Sequence, residues 1–435
     1  RKYIPVGVLR SGFNFSNIRP IGDDIQNIPN SAPGSVSVIK MINEIGDHVR
    51  AGKNRRTALM GILEVTHPDM LEFLKVKLDQ GQLNNFNISV AITDRFIEAV
   101  ENDEDWYFTF NNRKYYTYIV TSNEGKDTEH TVKLAALSSE DALGRANLHH
   151  RQSFEDNFTK VEESISKAKE IWDYIYQHSV ESGDSGIFNI SLTNKYTNVS
   201  SFEHMPATNP CGEIPLPSYG NCCLGNINLS NMVDFNGNVD YKRLARTVRL
   251  GVRFLDDVLT ANNFPIPECR EVGHRSRRIG LGVTGLHYFL IKAGYRYGDE
   301  RCLRFLERVF TTIRDEAYKS SIKLAEEKGA FPAFDYKLFL KEEFSRTLPP
   351  RLRTDIKKKG IRNAVMLTVA PTGTISMLAG VSSGIEPIFA PMYKRRYQEG
   401  GVQKEKIIMD PLFEKYYLEG KDISNFVGAY DVNPE

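Results

Sequence analysis

Short apolar runs and regular apolar–polar alternation predict strands at several points along the chain. Residues 86–93 alternate cleanly, and residues 59–65 form an apolar run that is typical of a buried strand. Two further runs flank the turn sequence Asn123-Glu124-Gly125-Lys126, as the strands of a hairpin would. The predicted strands are the start of 12–20, 59–65, 86–93, 115–120, 130–137, 187–190 and 363–369.

Apolar residues at helical spacing separate these strands and predict an α/β fold. The longest such pattern covers residues 300–328, and Gly329 is the predicted residue just beyond that helix. A capping pattern at residues 138–141 opens a short helix. The other predicted helices, with their apolar positions, are 38–49 (Val38, Met41, Ile42, Ile45, Val49), 68–78, 161–180 (Ile165, Ala168, Ile171, Trp172, Ile175) and 244–259 (Leu244, Val248, Val252, Leu255, Leu259).

Composition is that of an ordinary globular protein. The 435 residues suffice for one large α/β domain or for two to three smaller ones. A net charge of +1 gives no reason to expect nucleic acid or a membrane surface as a direct partner, and no apolar run approaches the length of a membrane span. Five cysteines in a chain of this length are not a disulfide scaffold, so a reducing cytoplasm is the expected compartment.

An amide, a thiol and a carboxylate, those of Asn209, Cys211 and Glu213, lie two residues apart. In an extended backbone, alternate side chains point to the same face. Pro210 and Gly212 lie between them and disfavour a helix, which favours an extended loop. A lone cysteine is usually a small buried residue. The amide and carboxylate on the same face favour a chemical role for this cysteine instead.

Three further stretches resemble phosphate-binding segments, and each also has a structural explanation. Residues 371–376 predict a tight turn and a helix start after the strand 363–369. Backbone N–H groups at such a helix start bind phosphate well. A purely structural explanation is that Thr caps the helix, and phosphate binding and capping are compatible with each other. Residues 280–285 match G-x-G-x-x-G without the rest of a dinucleotide-binding unit, so close strand–helix packing is the simpler explanation. The basic residues 53–56 either complement a helix dipole or hold a phosphate or base.

Taken in order, these motifs resemble the catalytic subunit of ribonucleotide reductase. The resemblance depends on Asn209-Pro210-Cys211-Gly212-Glu213, on residues 222–229 (CCLGNINL) and on residues 370–376 (APTGTIS). Supporting stretches are 12–16, 55–56 with 60–63, 86–90 and 383–387. The resemblance covers most of the chain from Gly12 onward, and residues 111–160 look like an insertion into the usual pattern.

The resemblance implies a ten-stranded α/β barrel with a central finger loop that carries Cys211. A thiyl radical on Cys211 would take the 3′-hydrogen of a ribonucleotide, and Glu213 would act as general base on the 3′-hydroxyl. Asn209 would orient the substrate hydroxyls. Cys222 would be one of the cysteine pair that supplies two electrons and becomes a disulfide, whereas Cys223 occupies a position that is usually not cysteine.

The resemblance also implies where nucleotides bind. Residues 21–57 would contain two effector loops, 21–34 and 51–57, and a dimer helix, so that a deoxynucleotide or ATP effector binds at a homodimer interface. Lys53 and Arg56 would contact the effector, and Arg55 would bridge effector and substrate. The implied substrate-binding residues are Gly12, Arg55, Pro210, Gly212, Pro371, Thr372, Gly373, Thr374 and Ile375. A thioredoxin- or glutaredoxin-type protein would be the reductant, and no metal ligand set is expected.

Two sources of the thiyl radical are possible within this family. One branch splits adenosylcobalamin within the same chain, and residues 371–377 and 382–387 are closer to that branch. The other branch takes the radical from a separate ferritin-like metal subunit. Residues 1–435 are expected to be one barrel domain that is incomplete at both ends, because the partner of Cys222 should precede Gly12 and a reducing tail should follow Glu435.

Alternatives from other classes remain at this stage. The chain could be a non-catalytic nucleotide-binding relative or a split piece that assembles with another polypeptide. A zinc site of Cys211, Cys222 and Cys223 is disfavoured, because adjacent cysteines lack the usual ligand spacing. The sequence leaves open whether the substrate is a diphosphate or a triphosphate.

Overall fold

The computed structural model describes residues 10–26, 28–48, 57–78, 82–123, 129–149, 158–164, 166–221, 223–399 and 402–432. The chain divides into two compact units. The first unit comprises residues 1–197 and 203–218, and the second comprises residues 198–202 and 219–435. Both units mix helices and strands, as the sequence predicts.

The first unit contains twelve strands and six helices in its described part. The strands are β1 (Arg10–Asn14), β2 (Ala58–Glu64), β3 (Phe86–Ile92), β4 (Asp105–Trp106), β5 (Phe108–Phe110), β6 (Arg113–Asn123), β7 (Glu129–Ala136), β8 (Phe158–Ser164), β9 (Ser166–Lys167), β10 (Gly186–Asn189), β11 (Ala207–Thr208) and β12 (Pro215–Leu216). The helices are α1 (Gly34–His48), α2 (Met70–Lys75), α3 (Asp94–Glu101), α4 (Ser139–His149), α5 (Ala168–Ser182) and α6 (Ile190–Tyr196).

A four-stranded parallel sheet in the order β1-β2-β3-β10 is the centre of the first unit. The predicted strands 59–65, 86–93 and 187–190 are confirmed within it. All five inner positions of β2 are buried, as expected for a parallel strand that is covered on both faces. Side chains from α1, α2, α3 and α5 pack with this sheet in one core, among them Ile39, Phe73, Phe96 and Ile175.

The described residues of the 111–160 segment form most of a second, antiparallel sheet in which β6 pairs with β5, β7 and β8. The predicted hairpin is confirmed by the pairing of β6 with β7. Helix α4 begins near the predicted capping pattern and covers this sheet through a small apolar cluster. The predicted start of the next helix at Val161 is wrong. Residues 161–164 pair with β6, because Val161 lies opposite the buried Val120, and the helix begins at Ala168.

Helix α1 is confirmed, but its predicted apolar face is right only in part: Val38 and Ile42 pack against the core, whereas Met41 and Ile45 do not. Met41 is 58% exposed and Ile45 is 42% exposed. The helix instead buries Asn43 and Gly46, whose polar atoms find partners: Asn43 Oδ1 accepts the Asn85 backbone N–H at 3.1 Å, and the Gly46 carbonyl accepts the Thr57 hydroxyl at 2.8 Å. Satisfied hydrogen bonds therefore allow Asn43 and Gly46 to be buried on the same helix as Ile39, while Met41 and Ile45 stay exposed. Val49 lies outside the described residues.

The second unit contains four strands and nine helices in its described part. The strands are β13 (Leu224–Asn228), β14 (Gly280–Thr284), β15 (Met392–Glu399) and β16 (Val402–Met409). The helices are α7 (Tyr241–Ala261), α8 (Pro267–Ser276), α9 (Leu286–Lys292), α10 (Glu300–Lys328), α11 (Tyr336–Phe339), α12 (Glu343–Arg346), α13 (Pro350–Lys359), α14 (Gly373–Ala379) and α15 (Pro411–Leu418). Short 3-10 helices cover Leu229–Met232 and Ala429–Asp431.

Strands β13 and β14 pair in parallel within the second unit. Helix α7 buries all five predicted apolar positions, and α10 ends at Lys328 with Gly329 beyond it. The glycines of 280–285 serve close packing, because a Cβ at Gly282 would lie 2.5 Å from Asn226 Oδ1 and 2.9 Å from the Thr368 carbonyl oxygen. The predicted strand 363–369 is wrong as a regular strand. Only Leu367 bridges to β14, since the segment forms irregular hydrogen bonds beside that strand.

The sheets of the described residues are thus a four-stranded parallel sheet, an antiparallel sheet and several two-stranded pairs. They support an α/β fold. Among the described residues, no helix combines the length and the apolar character that crossing a membrane requires.

Candidate active site

The Asn209–Glu213 stretch forms the turn of a short hairpin between β11 and β12. The Gly212 N–H donates to the Asn209 carbonyl at 3.0 Å, and the Asn209 N–H donates to the Ile214 carbonyl at 3.3 Å. Gly212 has a φ of +81°, which glycine adopts without strain. The predicted extended loop is therefore wrong, because Pro210 and Gly212 are the residue types that close a tight turn.

The turn brings the amide of Asn209 and the carboxylate of Glu213 into direct contact. Asn209 Nδ2 donates a hydrogen bond to Glu213 Oε2, and Asn209 Oδ1 accepts the Ile214 N–H at 3.0 Å. Both ends of the amide are thus engaged, which fixes its orientation. Cys211 lies in the same turn and is exposed, whereas Pro210 is buried beneath it. The arrangement presents a thiol beside a carboxylate whose position is held by an amide.

The parallel sheet supports this turn through residues that sequence reasoning missed. Asn87 Nδ2, from β3, donates to the Pro210 carbonyl at 2.7 Å. Asn14 Nδ2, at the end of β1, donates to the Pro206 carbonyl at 2.8 Å. Each asparagine occupies a polar position of an alternating strand pattern, and an amide there, where it can bind the backbone of a neighbouring segment, is the signal that could have identified them.

Gly12 lies where β1 passes β11. A Cβ at Gly12 would be 1.7 Å from the carbonyl oxygen of Thr208, the residue just before the turn. No side chain fits at this distance, so the close approach of the two backbones requires glycine. Gly12 therefore helps to position the Asn209–Glu213 turn. Its predicted contact with a substrate stays a separate prediction.

The turn at residues 371–376 lies in the second unit. Thr372 has a φ of +54°, which a β-branched residue rarely adopts and which costs about 1–3 kcal/mol. Its hydroxyl does not cap α14, so the predicted capping role is wrong. Thr372 Oγ1 instead accepts the Gly384 N–H at 2.7 Å and lies 3.0 Å from the hydroxyl oxygen of Thr284. These contacts hold Thr372 in its strained conformation.

The start of α14 leaves backbone groups near solvent. Gly373, Thr374 and Ile375 are exposed, and the first N–H groups of a helix lack partners within it. Ser376 Oγ donates to the Gly373 carbonyl at 2.9 Å and lies 2.9 Å from the Ser383 hydroxyl oxygen. The loop at 382–384 therefore packs against the turn and holds it, as a phosphate-binding turn would require.

The thiols described in the second unit are protonated at neutral pH. Burial raises the pKa of Cys223, of Cys269 and of Cys302 above the ordinary thiol value. Cys223 Sγ also lies 3.8 Å from the Leu255 carbonyl oxygen. These cysteines resemble packing residues more than metal ligands. Among the described residues, no three His, Cys, Asp or Glu side chains are grouped so that they could bind a metal ion.

Four predicted site residues lie outside the described residues: Lys53, Arg55, Arg56 and Cys222. Their predicted roles stay predictions.

Comparison with known proteins identifies the family. Residues 10–431 match the family model described as "Ribonucleotide reductase, barrel domain". The chain is 35% identical over 408 residues to a vitamin B12-dependent ribonucleoside-diphosphate reductase of Thermoplasma acidophilum, covering 93% of this chain and 44% of that protein. It is 33% identical to the protein of the same description from Mycobacterium tuberculosis, covering 93% of this chain and 49% of that protein.

A more distant relative carries a different description. The ribonucleoside-diphosphate reductase large subunit of Variola virus is 25% identical, over 95% of this chain and 54% of that subunit. The chain thus spans about half the length of the curated relatives it matches. The family model covers nearly all of the chain, and two relatives exceed 30% identity over most of it. The chain therefore belongs to the ribonucleotide reductase family.

Proposed function

We propose that the protein containing this chain reduces ribonucleotides to 2′-deoxyribonucleotides by thiyl-radical chemistry at Cys211. The observation that carries the proposal is the turn in which Glu213 is held by Asn209 beside the exposed Cys211, in a chain of the ribonucleotide reductase family. The amide, thiol and carboxylate are three of the groups that this reaction requires, and the reducing cysteine pair is the other requirement. The names of the relatives favour a ribonucleoside diphosphate as the substrate.

The residues of the turn have separate roles in this proposal. The Cys211 thiyl radical takes the 3′-hydrogen of the ribose, which leaves a substrate radical and a Cys211 thiol. Glu213 accepts the proton of the 3′-hydroxyl and returns it to the 3′-oxygen later in the cycle, and the 2′-hydroxyl takes up a proton from the cysteine pair and leaves as water. Cys222 and a second cysteine supply two electrons and two protons and become a disulfide. Cys211 returns its hydrogen atom to C3′, so the thiyl radical is regenerated.

Adenosylcobalamin is the proposed radical source, because the relatives from Thermoplasma acidophilum and Mycobacterium tuberculosis, both above 30% identity, are described as vitamin B12-dependent. When bound, it supplies the radical that oxidises the Cys211 thiol. The exposed position of Cys211 fits such a source, since a buried thiol could not be reached. A ferritin-like metal subunit is the alternative source, and the description of the viral relative as a large subunit is compatible with it.

The exposed start of α14 is the proposed site for substrate phosphates. Pro371, Gly373, Thr374 and Ile375 are all exposed there, and the buried Thr372 holds the turn in shape. Backbone N–H groups at 373–375 would donate to phosphate oxygens. Pro210 and Gly212 would contact the substrate from the Cys211 turn. A thioredoxin- or glutaredoxin-type protein would reduce the disulfide after each turnover.

A homodimer with an effector site is the proposed assembly. Met41 and Ile45, one turn apart on α1, are exposed apolar side chains that a second copy would cover. Residues 21–34 and 51–57 would form the effector loops for a deoxynucleotide or ATP, with contacts from Lys53, Arg55 and Arg56. A ten-stranded barrel that carries Cys211 on its finger loop is the proposed fold of the whole protein, with residues 111–160 as an insertion.

The test is deoxynucleotide formation by the complete gene product with a ribonucleoside diphosphate and a dithiol, with and without adenosylcobalamin. We expect product only with the cofactor. Cys211→Ser should abolish product while it preserves nucleotide binding, and Cys269→Ser, at a half-buried cysteine of the second unit, is the matched control that should stay active.

Three outcomes would change the proposal. Turnover by the Cys211→Ser variant would remove the thiyl assignment. Product that forms only after a ferritin-like metal subunit is added would replace the radical source. No product under either condition, with nucleotide binding intact, would favour the non-catalytic or split-piece alternative.

A further inference from the structure

A buried charge cluster joins residues 111–160 to loop 21–34 within the first unit. The Asp23 side chain is fully buried, and both of its carboxylate oxygens lie 3.0 Å from the Tyr115 hydroxyl, which donates to them. Arg145 Nη2 also donates to Asp23 Oδ1 at 2.7 Å. Tyr115 comes from β6 and Arg145 from α4, so two elements of the inserted segment converge on one loop carboxylate.

Arg145 is held from its own side as well. Its Nε donates to Asp141 Oδ2 at 2.8 Å, and its guanidinium carbon lies 5.1 Å from the centre of the Tyr115 ring. Only 2% of the Arg145 side chain is exposed. A buried ion pair is a poor way to gain stability compared with apolar packing, but it requires one defined geometry. The cluster therefore specifies where Asp23 lies.

Fixing Asp23 fixes the base of loop 21–34. The Ala32 N–H donates to the Asp23 carbonyl at 2.9 Å, and the Gly22 N–H donates to the Ala32 carbonyl at 3.0 Å. Gly22 has a φ of +77°, and a Cβ there would lie 3.0 Å from Arg145 Cγ. The base of the loop is buried, whereas residues 28–30 at its tip are exposed. The loop thus combines a fixed base with an accessible tip.

A second anchor lies outside the inserted segment. One carboxylate oxygen of Asp69 accepts a hydrogen bond from the Ile21 N–H at 3.0 Å. The other oxygen accepts hydrogen bonds from the Ser35 N–H at 2.8 Å and from the Ser35 hydroxyl at 3.0 Å. Asp69 therefore holds both ends of the loop. The cluster at Asp23 adds a contact in the loop itself, which Asp69 does not make.

We propose that Asp23, Tyr115 and Arg145 are positioning residues through which the 111–160 segment holds loop 21–34 ready for an effector nucleotide. This inference rests on the proposed assignment of residues 21–34 to effector binding. A loop that is ordered before binding loses less conformational entropy when the ligand arrives. The inserted segment thereby increases effector affinity without contacting the effector.

The test compares two buried tyrosines of β6 in the complete protein. Tyr115→Phe removes the hydroxyl that donates to Asp23, whereas Tyr118→Phe changes a tyrosine of the segment's own apolar cluster. Equilibrium dialysis with dTTP or dATP measures the dissociation constant without turnover. We expect Tyr115→Phe and Asp23→Asn each to bind the nucleotide about tenfold more weakly than the wild type, which equals about 1.4 kcal/mol. Tyr118→Phe should bind it with wild-type affinity.

Hydrogen exchange separates positioning from a general loss of stability. Backbone amides of residues 21–34 should exchange faster in Tyr115→Phe than in Tyr118→Phe, while the thermal midpoints of the two variants are the same. Wild-type affinity in Tyr115→Phe and Asp23→Asn would overturn the inference, as would equal weakening in Tyr118→Phe.

The proposed function and this inference fail in different ways. Deoxynucleotide formation without any dTTP or dATP binding would overturn the inference alone. Conversely, the complete protein could form no deoxynucleotide while Tyr115→Phe shows the expected loss of dTTP or dATP affinity. That result would overturn the proposed reaction and support the inference.

Discussion

Replacement of Gly12 by alanine tests how closely the position of the Cys211 turn depends on the sheet. The alanine Cβ would lie 1.7 Å from the Thr208 carbonyl oxygen, whereas real Cβ atoms essentially never approach another atom closer than 3.0 Å. Strand β11 would therefore have to retreat from β1 by at least about 1.3 Å. Thr208 directly precedes Asn209, so the turn that carries Cys211 moves with it.

The expected loss of activity is large because the hydrogen transfer proposed at Cys211 depends on distance. A misplacement of about 1 Å can cost about 10²-fold in rate, and overpacking costs about 1–3 kcal/mol of stability. We therefore expect Gly12→Ala to lower kcat of the complete protein by about 10²-fold, while it folds with a reduced thermal midpoint. The assay is the initial rate of deoxynucleotide formation at saturating substrate, beside thermal unfolding of the same samples.

Gly144→Ala is the matched control for Gly12→Ala. Gly144 lies in α4, and a Cβ there would meet no atom within 4 Å. Alanine should be neutral or stabilise that helix by up to about 1 kcal/mol. If Gly12→Ala kept both the wild-type kcat and the wild-type thermal midpoint, the close contact between β1 and β11 would not exist as described, and the argument that Gly12 positions the turn would be refuted.

Three further predictions concern the second unit. Cys222→Ser should allow at most about one turnover with dithiol, because the reducing pair is broken; Cys223→Ser should sustain turnover, and the opposite result would exchange their roles. Thr372→Val should reduce the free energy of unfolding by about 1–3 kcal/mol and raise KM for the ribonucleotide, because a buried backbone N–H loses its acceptor; an unchanged KM would argue against a phosphate site there. Burial lowers the pKa of His287 from 6.5 to about 4. The unfolded chain therefore binds this proton first, so the free energy of unfolding should be fully present above pH 6.5 and fall by up to about 3 kcal/mol toward pH 4. Denaturant titrations should show a flatter profile for His287→Gln, and an unchanged profile would contradict the prediction.

Helices with one continuous apolar stripe were predicted well from the sequence. Helix α7 buries the five predicted positions, and α10 has its predicted ends, because long helical periodicity leaves few alternatives. Helix α1 is the exception. Its orientation depends on hydrogen bonds to Thr57 and Asn85, and these partners are distant enough in sequence that no local pattern reveals them.

Short segments were predicted less well, because their partners decide their structure. Residues 161–164 have a helical pattern, yet they pair with β6, where Val161 meets a buried strand. Residues 363–369 are apolar enough for a strand, but they follow β14 with only one regular bridge. In both segments, tertiary pairing outweighs local preference.

By itself, the sequence determined the α/β class, the family and the residue types of the Asn209–Glu213 stretch, because these depend on local pattern and on motif order. Only the tertiary structure decided that Asn209 binds Glu213 across a tight turn, rather than sharing an extended face with it. It also decided that Gly12 meets Thr208 and that Asp23 meets Arg145. The last two contacts join elements that are far apart in the chain, and such contacts form only when the packed core brings those elements together. The Asn209–Glu213 contact is local, but it forms because the pairing of β11 with β12 closes the turn between them.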